Sequence, residues 1–173
     1  ITLKEFQKTV GSTEQFEVLK FLQCLLPVMN GIAALHRAGI IHCGIKPDRI
    51  IILNDSTMKL LLDTGTLRKF SIKDTSLSVI FDQHYAPLEV YSTKGELGPW
   101  TDIYSFGALL HFLLTGDDPS ENLFHFRKLS SSVWSDEKSQ RRRMCCRKMQ
   151  IRRLDRLIER CTQSDPKKRN DWE

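Results

Sequence analysis

Residues 98–116 read GPWTDIYSFGALLHFLLTG, and this run constrains the fold more than any other. Ile103, Phe106, Leu110, Leu113 and Leu114 recur at helical spacing, Thr101 is placed as the N-cap, and Gly116 supplies the C-terminal stop. A helix this apolar belongs inside the molecule, because on the surface it would hold large hydrophobic side chains in water. The rest of the chain then has to wrap around it. With 173 residues, 40% of them hydrophobic, there is enough chain for one domain with a sizeable core.

Residues 12–36 read as a second helix, with Ser12 and Gln15 as a capping box. Leu19, Leu22, Leu26, Met29 and Ala33 form its apolar stripe; Phe16, Phe21, Leu25, Val28 and Ile32 widen it, so burial on most sides is expected, with a kink at Pro27. Gly39 releases the chain. Ile151, Leu154, Leu157, Ile158 and Cys161 mark a last amphipathic helix, and SDPKKR, with Pro166, closes it. IIIL at 50–53 and MKLLL at 58–62, separated by Asn-Asp-Ser-Thr, read as a hairpin. Both strands are apolar throughout, which predicts a small sheet covered on both faces. Residues 64–84 read as a long irregular segment.

No apolar run approaches the ~20 residues of a membrane span, and ITLKEFQ lacks the layout of a signal peptide. The five cysteines (Cys24, Cys43, Cys145, Cys146, Cys161) form no CxxC pair and no Cys/His set with zinc-ligand spacing. They read as reduced thiols, which implies a cytoplasmic setting, of this chain or of a larger protein carrying it. Net charge is +5, from 26 basic and 21 acidic residues, but residues 138–160 hold ten basic residues against two acidic ones. That stretch is +8 and the remainder is 16 against 19, or −3. Its basic residues are interleaved with Ile151, Leu154, Leu157 and Ile158, with no aromatics for base stacking, which disfavours nucleic acid. A solvated basic face is the plainer reading, and an anion-binding module the sharper one.

One segment carries chemistry. IIHCGIKPDRIIIL, residues 40–53, sets a polar octet between apolar anchors, in the manner of a loop held rigid for a purpose. On chemistry alone, His42 reads as a hydrogen-bonded core histidine, Lys46 as a surface lysine or a phosphate-facing one, and Asp63 as a turn-starting aspartate or a ligand-facing one. Cys43 beside Gly44 has no base at a known spacing to make it a nucleophile.

Taken in order, IIHCGIKPDRIIIL, KLLLDTG, the long segment, YAPLE, GPWTDIYSFGALLHFLLTG and SDPKKR closely resemble the large lobe of the eukaryotic-like protein kinase family, in wording most like the bacterial serine/threonine kinases. The implied fold is mainly α: a kinase-like large lobe, a helical bundle with one small β-hairpin, spanning residues 1–173. No G-x-G-x-x-G and no V-A-I-K lysine occurs, so the N-terminal β lobe is expected to lie outside this chain.

The family's catalytic loop is H-R-D-x-K-x-x-N. Here it reads His42, Cys43, Gly44, Ile45, Lys46, Pro47, Asp48, Arg49. The resemblance puts Gly44 where the proton acceptor belongs, Arg49 where an asparagine holds a metal, and Lys46 as the catalytic remnant. D-F-G becomes Asp63, Thr64, Gly65, which leaves Asp63 as a metal and nucleotide ligand, with Ile51 beside the nucleotide. The A-P-E position reads Pro87, Leu88, Glu89. Glu89 is implied to pair with Arg169, Asp102 to cap the catalytic-loop backbone, and His42 to be structural. Phe81-Asp82 replaces Gly-Thr, and Asp82 is expected to pair with Lys46 or Arg49. Thr66, Thr75, Ser76 and Ser78 are available for phosphorylation. The cofactors implied by the family are ATP and Mg²⁺. With the base and one metal ligand replaced, the expected role is that of a pseudokinase, a regulatory or scaffolding module for a protein partner. The alternative is an active kinase using Asp48 or Asp82 as base.

Overall fold

Every residue from Thr101 to Leu113 is buried, so the apolar run forms a central helix. In the computed structural model, residues 1–10, 18–54, 57–69, 81–92, 95–115, 118–119 and 148–169 are described. In chain order they form α1 (Leu3–Val10), α2 (Val18–Arg37), β1 (Ile40–Ile41), β2 (Ile50–Ile52), β3 (Met58–Leu60), β4 (Arg68–Lys69), α3 (Pro99–Thr115) and α4 (Lys148–Cys161). Short 3₁₀ turns occupy Pro47–Arg49, Leu88–Tyr91 and Pro166–Lys168. The described chain is mainly helical. Among the described residues, no helix is long and apolar enough to cross a membrane.

α2 packs its Leu25, Val28 and Ile32 against Phe106, Leu109 and Leu110 of α3, with Ile45, Ile50 and Met58 closing the same core. Each such side chain contributes on the order of 1.5–3 kcal/mol through burial. The core stripe of α2 is one residue off the expected one: Leu26 is 52% exposed, and Gln23, Pro27, Asn30 and Gly31 share the open side. α2 is therefore amphipathic, not buried on most sides. Pro27 is tolerated within it because it lies on that open side. Gly39, at φ 73°, takes the left-handed conformation that turns the chain out of α2.

β2 and β3 pair antiparallel, Ile50 opposite Leu60 and Ile52 opposite Met58, as the hairpin reading expects. Two corrections apply. The hairpin is not covered on both faces, since Ile50 and Met58 are buried while Leu53, Leu61 and Leu62 are exposed. It is also not the sole sheet: β1 pairs antiparallel with β4, Ile40 opposite Lys69 and Ile41 opposite Arg68. Arg-Lys carries no hydrophobic period, so β4 could not be read from pattern.

α1 is a further addition. Thr2 and Glu5 form a reciprocal capping box, Glu5 N donating to Thr2 Oγ1 at 3.2 Å and Thr2 N to Glu5 Oε2 at 2.8 Å. α3 begins at Pro99, earlier than an N-cap at Thr101 allows. Thr101 sits in the first turn, and its hydroxyl accepts from Gly98 N at 3.3 Å. α4 starts at Lys148, and past its end Asp165 caps the last turn by accepting from Lys167 N at 3.0 Å. The Ser12–Gln15 box, Gly116, Cys145, Cys146 and residues 138–147 lie outside the described residues.

α3 and α4 meet at Gly107, where a Cβ would come within 2.6 Å of Cys161 Cβ and 2.9 Å of Thr162 Cγ2. Alanine gains ~1 kcal/mol of helix propensity, but overpacking costs ~1–3 kcal/mol. Gly107→Ala is therefore expected to lower stability by up to about 2 kcal/mol in denaturant titration; a stabilised variant would mean that α4 is free to move away.

Candidate functional site

The loop after β1 is built around Asp102. This carboxylate, wholly buried in the first turn of α3, accepts three hydrogen bonds: His42 N at 2.7 Å, Cys43 N at 2.8 Å and His36 Nε2 at 2.8 Å. Cys43 needs the clamp, because its φ of 55° is left-handed and costs a residue with a Cβ on the order of 1–2 kcal/mol. The His42 ring completes the turn. Its Nδ1 accepts from Gly44 N at 3.2 Å, so Nε2 carries the proton and donates to Leu61 O at 2.9 Å. His42 is thereby committed to holding the loop against the strand that leads to Asp63.

Gly44 follows with no side chain to offer. A Cβ there would lie 3.0 Å from Thr66 Oγ1 and 3.2 Å from Thr66 Cβ and Cγ2, so Thr66 occupies the adjoining space. Thr66 is itself fixed, its N and Oγ1 both donating to Asp63 O at 3.0 and 3.1 Å.

The charged residues pair off. Lys46 Nζ lies 3.1 Å from Asp82 Oδ2, and Arg49 Nη2 lies 2.6 Å from Asp63 Oδ2. Lys4 of α1 reaches Asp48 at 3.6 Å and Asp118 at 3.8 Å. Tyr85 donates to Asp118 Oδ1 at 2.6 Å. The second oxygen of Asp63 accepts from Gly65 N at 3.0 Å. That amide first, and the Arg49 guanidinium second, hold the Asp63 carboxyl below its ordinary range.

A divalent cation does not fit this donor set. Both Asp63 oxygens are engaged, and the neighbour that would complete the site is a guanidinium, which is always charged and offers no lone pair. Among the described residues, no cluster of three His, Cys, Asp or Glu is placed to bind a metal. Ile51, opposite Lys59 in β2, stands two residues past Arg49 and is half-buried.

Away from the loop, Arg169 and Glu89 form a buried pair. Arg169 Nη2 donates to Glu89 Oε2 at 3.0 Å, and Nη1 donates to Glu89 Oε1. The remaining donors go to Gln163 O, Trp100 O and Ser164 O, and the guanidinium lies 5.0 Å from the Tyr104 ring centre. All five N–H groups are satisfied, which is why a buried arginine is tolerated here.

The structure thus gathers Gly44, Lys46, Arg49 and Asp63 around one loop, with His42 and Asp102 beneath it and Glu89–Arg169 bracing the approach to α3. Sequence reasoning missed His36, Lys4, Thr66 as a packing group, Tyr85 and Asp118. A basic residue in the last turn of α2 was the one signal that could have pointed to His36; the others had none.

The family model for the protein kinase domain matches residues 2–173. The serine/threonine-protein kinase PknL of Mycobacterium tuberculosis is 39% identical over 121 residues, covering 68% of this chain and 29% of that protein. The serine/threonine-protein kinase CHK1 of Saccharomyces cerevisiae is 38% identical over 100 residues, 54% of this chain and 19% of that protein. The probable serine/threonine-protein kinase PknB of Corynebacterium glutamicum is 28% identical over 138 residues, 77% of this chain and 21% of that protein. The chain therefore spans less than a third of the length of each of these relatives.

Two outcomes test the site's construction. Asp102→Asn keeps the shape but loses one acceptor oxygen to an amide N–H, so one buried backbone donor loses its partner. A loss of about 2 kcal/mol or more is expected in denaturant titration of the full-length protein. Alkaline pH probes the burial. The thiols of Cys43 and Cys161 rise from 9.0 to about 12 and about 11, and the Tyr104 hydroxyl from 10.0 to about 12, each chiefly through burial. Folded groups hold their protons where unfolded ones release them, so stability is complete below about pH 9 and falls as pH rises from there toward 12. Melting temperature should decline across that window, and native Cys43 should resist thiol alkylation at neutral pH. Rapid native labelling would contradict its burial.

Proposed function

The chain belongs to the protein kinase family, and on that premise we propose that it is the large lobe of a non-catalytic member, a regulatory or scaffolding module that engages a protein partner. The observation that carries this reading is Gly44. The third position of H-R-D-x-K-x-x-N holds the carboxylate that accepts the substrate hydroxyl's proton. Glycine has no atom for that, and Thr66 adjoins the space at 3.0 Å from a Cβ built there. Loss of a positioned base lowers a rate by ~10²–10⁴. The scaffold contacts, by contrast, are made in full: the Asp102 clamp, His42 bridging Gly44 and Leu61, and the Arg169–Glu89 pair. A fold that keeps its frame without its base is suited to docking.

The catalytic alternative requires Asp48 or Asp82 as base. Each already faces an ammonium, Lys4 at 3.6 Å and Lys46 at 3.1 Å, so its oxygens are turned to a cation rather than held for a substrate hydroxyl. A role for residues 138–160 as the partner-binding element draws support from α4, where Arg153, Arg156 and Arg160 are exposed alongside Leu157. Nucleic acid is disfavoured, for want of aromatics among those residues. Cys24, Cys43 and Cys161 are free thiols, which supports a cytoplasmic setting.

The test is transfer of labelled phosphate from ATP to serine/threonine peptides by the full-length protein. Incorporation is expected to be no higher than in Asp63→Ala, and Gly44→Asp alone is expected not to restore it. Transfer in the native protein that vanishes in Asp63→Ala would sink the non-catalytic reading.

A further inference from the structure

The poor fit of a divalent cation has a positive counterpart. We infer that Arg49 takes the cation's place, so that this site binds nucleotide phosphate in its metal-free form; the inference rests on the kinase-family reading, but not on the absence of catalysis.

Arg49 is held in position from its own backbone. It ends the Pro47–Arg49 turn, and its carbonyl accepts from Leu61 N at 2.7 Å, just before Asp63. Its side chain then meets Asp63, with Nη2 lying 2.6 Å from Oδ2. A guanidinium is a planar fork with donors on more than one edge, so it can hold a carboxylate on one side and a phosphate on another. The side chain is 32% exposed, so part of the guanidinium faces solvent. A magnesium ion would supply positive charge to offset a phosphate; here Arg49, beside Asp63, would offer a fixed single charge instead.

The surrounding charges allow this. Asp82 faces Lys46, and Asp48 faces Lys4, which it shares with Asp118, so the repulsion of a phosphate by the flanking carboxylates is reduced. An added divalent cation meets the Arg49 charge at close range and competes with it for both Asp63 and the phosphate oxygens. Magnesium-loaded nucleotide is therefore the poorer ligand, with apparent affinity lower by about tenfold or more.

The experiment is ATP titration of the full-length protein by thermal shift and calorimetry, once in EDTA and once in excess Mg²⁺. The expected result is a rise in melting temperature in EDTA, weaker binding in Mg²⁺, loss of the EDTA response in Arg49→Ala, and a Mg²⁺-dependent response in Arg49→Asn. A response that requires Mg²⁺ in the native protein overturns the inference. So does no binding in either condition, or an EDTA response unchanged in Arg49→Ala. The comparison of the two conditions in the native protein stands even if a variant fails to fold. Phosphate transfer, measured separately, distinguishes this inference from the non-catalytic reading: transfer would end the latter and leave metal-free binding to its own result.

Discussion

One buried carboxylate organises this molecule. Asp102 sits in the helix around which everything packs, yet its oxygens serve a loop sixty residues earlier, accepting from His42 N and Cys43 N, and from His36 at the end of α2. A buried charge is costly unless fully hydrogen-bonded, and three donors make it tolerable. In return it fixes a left-handed cysteine and joins α2, the loop and α3 at one point. From that point His42 reaches Leu61, Leu61 reaches Arg49, and Arg49 reaches Asp63. The site is thus an extension of the core rather than a loop laid over it.

The ion pairs divide by burial. Arg169–Glu89 is enclosed, with side chains 0% and 7% exposed, and removing one partner of such a pair typically costs ~3–5 kcal/mol. Lys46–Asp82 and Arg49–Asp63 are each about a third exposed, where pairs are worth ~0–1 kcal/mol. The outer pairs therefore do little to hold the fold. Their weight lies in composition: they decide which charges are left to meet a ligand, and they leave few.

How much of this could be read beforehand depended on whether the information was one-dimensional. The central helix was plain in GPWTDIYSFGALLHFLLTG because hydrophobic spacing is a property of consecutive residues. The hairpin at 50–52 and 58–60 was plain for the same reason. α1 was legible and overlooked, since Thr2 and Glu5 stand at capping-box spacing with Leu3 and Phe6 on one side. β4 was not legible: Arg-Lys becomes a strand only because β1 lies alongside it. Leu26 shows the limit of spacing within a helix, where a single-residue rotation puts a leucine in water. In the site, Lys46 and Asp63 drew notice by type, and Gly44 and Arg49 only through the resemblance to the kinase catalytic loop. Charge alone suggested Asp82 as a partner for Lys46 or Arg49, and it is Lys46. That Arg49 would meet Asp63 was not readable, because the two come together through the register of the hairpin.

The closeness of Gly44 and Thr66 bears on what position 44 can accept. Here Thr66 adjoins the space that a side chain at position 44 would take, and is tied there by two bonds to Asp63 O. An aspartate at position 44 would need Thr66 to give by a few tenths of an ångström, with Arg49 at the other end of the loop. A side chain placed at position 44 therefore meets the packed interior before it meets any ligand, so a substitution there acts first on packing and only then on chemistry.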